Sequence, residues 1–252
     1  MATSVEDEEY DFNDIFPTSK YYFDIETKDL NNEYISDCFD ISRQIHRDGK
    51  NEFIMPCQKL IHYLKYINKY PAIDDKKKSC KYFNYKLMDE LKKIRNTCEE
   101  TKDCYIKMIN AYSKESDGID VCKEYIQEIH EKTLVKFQKL DSLYEIFYKF
   151  TSTQEEGENG KCDSGRECSE KYSEYITLCN QISHTGFCKA LDKFRDSYNF
   201  HMKNESECVK VPRYLYSPFG TERRRTFSIS LITMFATSTI LFTVYKVNGI
   251  LL

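Results

Sequence analysis

The chain has 252 residues, of which 40% are hydrophobic and 31% are charged, so we expect it to fold around a core rather than to remain disordered. Its 8 glycines and 5 prolines are too few for the many tight turns of an all-β fold, and this scarcity favours helices. The formal net charge of −4 gives no reason to expect a nucleic-acid partner. Composition and charge therefore predict an all-α protein that does not bind nucleic acid.

The N-terminal stretch MATSVEDEEYDFND is acidic and is followed by no basic residue before Lys20. A secretory signal peptide begins with positive charge and continues with an apolar run, and this stretch has neither feature. We expect residues 1–17 to form a flexible acidic arm. Residues 18–210 are expected to form one cysteine-bearing helical domain, an irregular bundle linked by disulfides.

Within this domain, apolar side chains recur at steps of three and four residues, which is the spacing of one helix face. The stretch CKYFNYKLMDELKKI, residues 80–94, shows this pattern most clearly. Cys80 lies on the apolar side of the predicted helix, where a disulfide would link it to a neighbour. Other helices are predicted within 18–48 and over 53–67, 101–112 and 121–150.

Three stretches are predicted to be irregular. PAIDDKKKS, residues 71–79, is interpreted as a loop with solvated lysines. TSTQEEGENGKCDSG, residues 151–165, is polar and contains glycine, so we expect an exposed loop within the domain. Residues 211–225 are interpreted as a stalk that leads to a membrane.

Eleven cysteines precede the C-terminal apolar segment. A reducing cytosol has little use for so many, so disulfides are the leading interpretation, although the spacing does not reveal the pairing. Because eleven is odd, at least one thiol stays free or pairs between chains. Small buried hydrophobes are an alternative, whereas scattered histidines and the lack of a C-x-x-C pair disfavour zinc. The candidate disulfide cysteines are Cys38, Cys57, Cys80, Cys98, Cys104, Cys122, Cys162, Cys168, Cys179, Cys188 and Cys208.

The C-terminal stretch FSISLITMFATSTILFTVY, residues 227–245, holds 19 residues without a charge. At about 1.5 Å per residue, a helix of this length crosses the hydrocarbon core of a bilayer. The stretch is apolar all round, which favours a membrane span over a buried core helix. We therefore predict one transmembrane helix over 226–246, followed by a short tail over 247–252.

The charges that flank this span leave its orientation open. Arg223, Arg224 and Arg225 precede the uncharged stretch 227–245 and Lys246 follows it, and the positive-inside rule then places the helical domain in the cytoplasm. Disulfides would instead place the same domain outside the cytosol. The two orientations remain alternatives.

No motif in the sequence indicates catalysis. The nucleophile elbow G-x-S-x-G, the phosphate-binding glycine motifs and the H-E-x-x-H motif of zinc proteases do not occur. His184 and Cys188 are four residues apart, but Cys188 is better explained as one of a series of cysteines on packed helices. We predict no enzyme activity, catalytic residue, metal or cofactor. The tyrosine-rich faces form either a ligand platform or a substitute for tryptophan in the core, and we favour the core.

Six separated blocks of the sequence carry a family resemblance. The most recognisable is CKYFNYKLMDEL (80–91). The others are CQKLIHYLKYI (57–67), LDSLYEIFYKF (140–150), CSEKYSEYITLC (168–179), FCKALDKFRDSY (187–198) and YSPFG (216–220). In this order and spacing the chain resembles the PIR (interspersed-repeat) variant antigens of malaria parasites, especially the VIR-type members, over about residues 18–245.

The resemblance implies a helical, cysteine-bearing domain that a C-terminal span anchors in a parasite-derived or infected red-cell membrane. It further implies a role in antigenic variation, immune evasion and in some cases host-cell adhesion, with a host receptor or an antibody as partner. No enzyme activity or cofactor comes with the family. The alternative is a tail-anchored scaffold or trafficking protein whose domain faces the cytosol.

Overall fold

The computed structural model describes residues 12–46, 51–70, 73–112, 120–152, 158–179 and 186–220. In these ranges the regular elements are helices, and β-structure is limited to an isolated bridge between His46 and Asn96. The α-helices are α1 (Phe12–Ile15), α2 (Thr18–Glu26), α3 (Ile35–Ile45), α4 (Ile54–Lys69), α5 (Ile73–Lys92), α6 (Thr101–Tyr112), α7 (Glu131–Thr151), α8 (Glu158–Tyr175) and α9 (Gly186–Met202). Short 3-10 turns lie at Asn32–Tyr34, Asn51–Phe53, Lys123–Tyr125 and Ile176–Leu178. The all-α prediction is confirmed.

The N-terminal helix α1 belongs to the core. Phe12 and Phe16 are buried, and the ring centroid of Phe12 lies 4.7 Å from that of Phe137 on α7. Phe16 stacks on Tyr144, also on α7, with ring centroids 5.7 Å apart. The acidic arm predicted over residues 1–17 therefore extends too far, because its last residues supply aromatic side chains that are removed from water.

Helix α5 starts earlier than its apolar stripe. The predicted face is buried from Cys80 through Phe83 and Leu87 to Leu91, which fits the helical spacing of these residues. Residues 73–79, predicted to be a loop, form the first turns of the same helix. Lysine has good helix propensity. The sequence predicts a loop for these residues only because they lack an apolar stripe.

Helices α7 and α8 pack closely against each other. The helix predicted over 121–150 starts only at Glu131, after the 3-10 turn at Lys123–Tyr125. The loop predicted over 151–165 is also wrong in its second part, because α8 covers Glu158 onward. A Cβ atom on Gly165 would lie 2.7 Å from the ring of the buried Phe150. This glycine therefore permits the close approach of the two helices.

The chain after α9 folds back onto the helices. Val211 and Leu215 are buried. The Tyr198 hydroxyl donates to the carbonyl of Pro212 (2.8 Å), and the Asn199 amide exchanges two hydrogen bonds with the backbone of Leu215 (2.8 and 3.1 Å). Residues 211–220, predicted as part of a stalk, thus belong to the body of the protein.

The remainder of that stalk lies outside the described residues. So do the transmembrane helix predicted over 226–246 and the tail over 247–252. None of the helices that the structure describes combines the length and the apolar character needed to cross a bilayer.

Candidate functional site

Ten of the eleven predicted cysteines pair as five disulfides, which confirms the leading interpretation. Their Cα atoms are 5.2 to 5.7 Å apart, inside the range of about 4.4–6.8 Å that a disulfide requires. The pairs are Cys38–Cys57, Cys80–Cys122, Cys98–Cys104, Cys162–Cys208 and Cys179–Cys188.

The disulfides connect parts of the fold that lie at most 46 residues apart in sequence. Cys38–Cys57 joins α3 to α4, and Cys98–Cys104 joins α6 to the segment before it. Cys80, the residue at the head of the clearest helical stripe, joins α5 to Cys122 across 42 residues of sequence. Two further bridges join α8 to the segment after α9 (Cys162–Cys208) and the end of the 3-10 turn after α8 to α9 (Cys179–Cys188). Each disulfide removes conformational freedom from the unfolded chain, so together they stabilise the body.

The unpaired cysteine is Cys168 on α8. Its side chain is completely buried, and this burial raises the pKa of the thiol far above its ordinary value. A buried thiol that stays protonated is a poor nucleophile. The odd cysteine is thus a buried free thiol, which its burial keeps out of reach of a second chain.

Most of the remaining predicted residues lie outside the part of the chain that the structure describes. Arg223, Arg224, Arg225 and Lys246, together with His184, lie outside the described residues. Cys188 is bonded to Cys179. In the described ranges no group of three or more histidine, cysteine, aspartate or glutamate side chains comes together as a metal site.

A buried charge cluster, which the sequence did not reveal, lies beneath α2. The carboxylate of Asp141 on α7 accepts a hydrogen bond from the Tyr82 hydroxyl, and the ammonium groups of Lys86 and Lys20 lie 3.3 and 3.6 Å away. Lys20 also pairs with Asp24 at 3.0 Å. Burial alone would raise the pKa of Asp141, but the two lysines and Tyr82 hold it below its ordinary value. Asp141 is therefore held as a carboxylate, and its contacts join α2 to α5 and α7.

Tyrosine side chains divide between the core and the surface. As predicted, the core takes a large share, namely Tyr63, Tyr82, Tyr85, Tyr105, Tyr172 and Tyr198. A second group reaches the surface around α2, where Tyr21 and Tyr22 are exposed and their ring centroids are 5.5 Å apart. Tyr22 also stacks on Tyr66 of α4, with centroids 5.0 Å apart. A cluster of exposed tyrosine rings therefore lies beside the aromatic core.

Three adjoining depressions surround these exposed rings, and we call them together the α2 surface. The α4 groove, of about 600 Å³, lies between α2, α4 and the start of α5. The central cavity, of about 210 Å³, lies between α2, α7 and α9, and Tyr21 lines both of these depressions. The α9 groove, of about 630 Å³, shares Phe147 with the central cavity and includes the exposed Phe200.

The α2 surface combines exposed aromatic rings with titratable groups whose pKa values are shifted by burial. Burial together with the neighbouring Tyr22 raises the pKa of Tyr66 to about 12, so this phenol stays protonated. In the α9 groove, burial lowers the pKa of His201, whose imidazole packs against Phe150 with centroids 4.9 Å apart. Exposed aromatic rings beside mixed charges are typical of protein interfaces.

The sequence shows the tyrosines of this surface, but it does not show that they lie close together in the fold. Tyr66 and Tyr70 are one helical turn apart, a spacing that places them on one face. Tyr22 joins them only because α2 packs on α4, 44 residues away along the chain. In comparisons with family models, with curated proteins and with solved structures, no match to this chain was found.

Proposed function

We propose that the chain is a membrane-anchored surface or exported variant antigen of a malaria parasite, in which a disulfide-linked helical body binds a host protein or an antibody. The observation that carries this proposal is the set of five disulfides, which leaves one buried thiol. Proteins with so many disulfides mature in oxidising compartments. The predicted C-terminal span would then hold this body at a membrane surface.

Two further features support the proposal. The block CKYFNYKLMDEL, which most clearly carries the resemblance to the PIR antigens, supplies the buried side chains Cys80, Tyr82, Phe83 and Tyr85 of α5. The block that carries the resemblance therefore contributes residues to the buried core of the helical body. The α2 surface gives that scaffold an aromatic binding face, which a protein displayed to host molecules needs.

The second candidate is a tail-anchored, cytosol-facing scaffold or trafficking protein. The observation in its favour is the run Arg223, Arg224 and Arg225 directly before the predicted span, which the positive-inside rule assigns to the cytoplasmic side. The two candidates differ in the side of the membrane that the helical body faces and in the redox state of its cysteines.

Accessibility of the helical body on intact infected cells is the decisive experiment. We expect an added protease to digest it, and antibodies raised against it to bind, without permeabilisation of the cells. Cells permeabilised with detergent provide the control for epitope integrity. Protection in intact cells combined with digestion after permeabilisation would contradict surface display.

Peptide mapping under non-reducing conditions separates the two candidates independently. For the displayed antigen we expect five linked peptide pairs, with Cys168 alkylated only after unfolding, because its thiol is buried. A chain from cells rapidly quenched with alkylating reagent that carries mostly free thiols would favour the cytosol-facing scaffold.

A further inference from the structure

Two tyrosine rings project from the segment that follows α9. Tyr214 and Tyr216 are 59% and 71% exposed, and their ring centroids lie 5.6 Å apart. Leu215, between them, is buried, so both rings lie on the outer side of the segment. A tyrosine side chain has an apolar ring and a polar tip, which suits a boundary between an apolar phase and water.

The helical body holds the backbone that carries these rings. The Tyr172 hydroxyl on α8 donates a hydrogen bond to the carbonyl of Tyr216 (2.7 Å), and the Ser217 hydroxyl donates to the carboxylate of Asp192 on α9 (2.8 Å). At the start of the segment, Cys208 is bonded to α8. The two rings therefore keep a defined position relative to the body.

The distance from these rings to the predicted membrane span is short. The structure describes the chain up to Gly220, whose backbone N–H donates to the carbonyl of Ser217 (3.2 Å). This turn keeps Gly220 close to Tyr216. Only residues 221–225 separate Gly220 from the span predicted over 226–246, and a fully extended chain covers at most about 22 Å over that interval. The end of the body that carries Tyr216 must then lie near the lipid headgroups.

The charge of this part of the chain complements phospholipid. Residues 209–225 include five basic residues and one acidic residue, a net charge of +4 in a chain whose net charge is −4. In the described part, Lys210 and Arg213 are exposed, and the Arg213 guanidinium donates to the carbonyl of Glu205 (2.6 Å). Basic side chains next to a span interact with lipid headgroups, and tyrosine is enriched at membrane–water interfaces.

We propose that the side chains of Lys210, Arg213, Tyr214 and Tyr216, together called the tyrosine face, lie in the phospholipid headgroup layer of the membrane. The rings enter between the headgroups, and the basic groups pair with lipid phosphates. The body then rests on the bilayer in a fixed orientation. This inference rests on the anchoring in the proposed function. It holds for both candidate orientations, because the span follows the body in each.

Tryptophan fluorescence tests the contact on the full chain, which contains no tryptophan of its own. Tyr214→Trp and Tyr216→Trp are reconstituted in vesicles of phosphatidylcholine and phosphatidylserine that include phosphatidylcholine with a spin label on its headgroup. The matched control is Tyr70→Trp, because Tyr70 is 53% exposed and follows α4, which packs on α2, α3 and α5. We expect several-fold stronger quenching at the tyrosine face than at the control. Equal quenching at all three positions would overturn the proposal.

A second substitution separates true contact from mere proximity to the bilayer. In the Tyr216→Trp background, Tyr214→Ser removes the neighbouring ring and should weaken the quenching, whereas Tyr70→Ser should leave it unchanged. Quenching that survives Tyr214→Ser in full would mean that the short connection alone brings the face near the lipid, and would overturn the contact. Because these side chains are exposed, the variants should melt at the wild-type temperature.

A tryptophan within the predicted span distinguishes failure of the contact from failure of the anchor. Phe235→Trp should be quenched by phosphatidylcholine with brominated acyl chains. Quenching there without quenching at the tyrosine face would overturn the lipid contact and leave the anchored function standing. No quenching at Phe235→Trp would reject the predicted span and the lipid contact with it. Failure of the accessibility experiment would reject surface display alone.

Discussion

Replacing Asp141 by asparagine removes the central charge of the cluster beneath α2. The substitution keeps the size of the side chain, but it leaves two ammonium groups without their shared carboxylate, one at 3.3 Å (Lys86) and one at 3.6 Å (Lys20). Both lysine side chains are largely buried. The variant therefore places uncompensated positive charge in a poorly hydrated part of the protein.

The size of the effect follows from the contacts that remain. Loss of one partner from a buried ion pair costs about 3–5 kcal/mol. Asp24 stays at 3.0 Å from Lys20, and the asparagine oxygen still accepts a hydrogen bond from Tyr82, so we expect the lower limit, about 3 kcal/mol. For a protein of this size each kcal/mol lowers the melting temperature by about 2–4 °C, which gives a fall of roughly 6–12 °C.

Urea unfolding with the disulfides intact measures this loss. Glu174→Gln is the matched control, since it also changes a carboxylate to an amide but breaks an exposed pair with Lys139 (3.2 Å), which is worth at most about 1 kcal/mol. If the two variants lose stability equally, the argument from burial is refuted.

The pH dependence adds an independent check on Asp141. Its pKa lies below the ordinary value of 3.8, because the two lysines and Tyr82 outweigh burial. A lowered pKa in the folded state means that the stabilisation is complete above the unfolded pKa and is lost as pH falls through the folded pKa. The stability difference between wild type and Asp141→Asn should therefore be constant near neutral pH and shrink below about pH 4.

Three further perturbations test other parts of the structure. Joint replacement of Cys80 and Cys122 by alanine opens a bridge across 42 residues and should cost about 4 kcal/mol in urea unfolding. Gly165→Ala places a Cβ atom 2.7 Å from the Phe150 ring, so melting should show a loss of about 1–3 kcal/mol despite the better helix propensity of alanine. Burial lowers the pKa of His201 below 6.5, so the folded state resists its protonation. The wild type should lose stability from pH 7 to 5, and His201→Gln should lose less.

The helices with regular apolar stripes were predictable from the sequence. The helix predicted over 101–112 coincides with α6 (Thr101–Tyr112), and the predicted stripe of α5 is buried as expected. In these segments the apolar periodicity of the sequence and the observed burial identify the same helix face. The local sequence is therefore sufficient to predict the helix.

The errors lie where long-range contacts decide the structure. Residues 158–165 are polar and contain glycine, yet they form a helix because Gly165 fits against Phe150 and Cys162 is bonded to Cys208. The sequence around Gly165 gives no sign that the Phe150 ring, fifteen residues earlier, is its neighbour in the fold. The α2 surface was hidden for the same reason, since the stacking of Tyr22 on Tyr66 depends on how α2 packs.

The helix at the centre of the α2 surface is held differently from the rest of the body. All five disulfides join residues from Cys38 onward, and α2 contains no cysteine. Its attachment relies on Phe23, whose ring lies 5.2 Å from Tyr63 between centroids, and on the ion pairs of Lys20. Asp141→Asn should therefore raise amide hydrogen exchange in α2 more than in the disulfide-linked α4, because local opening follows the least secured element. Equal changes in both helices would show that the cluster stabilises the whole body rather than the α2 surface.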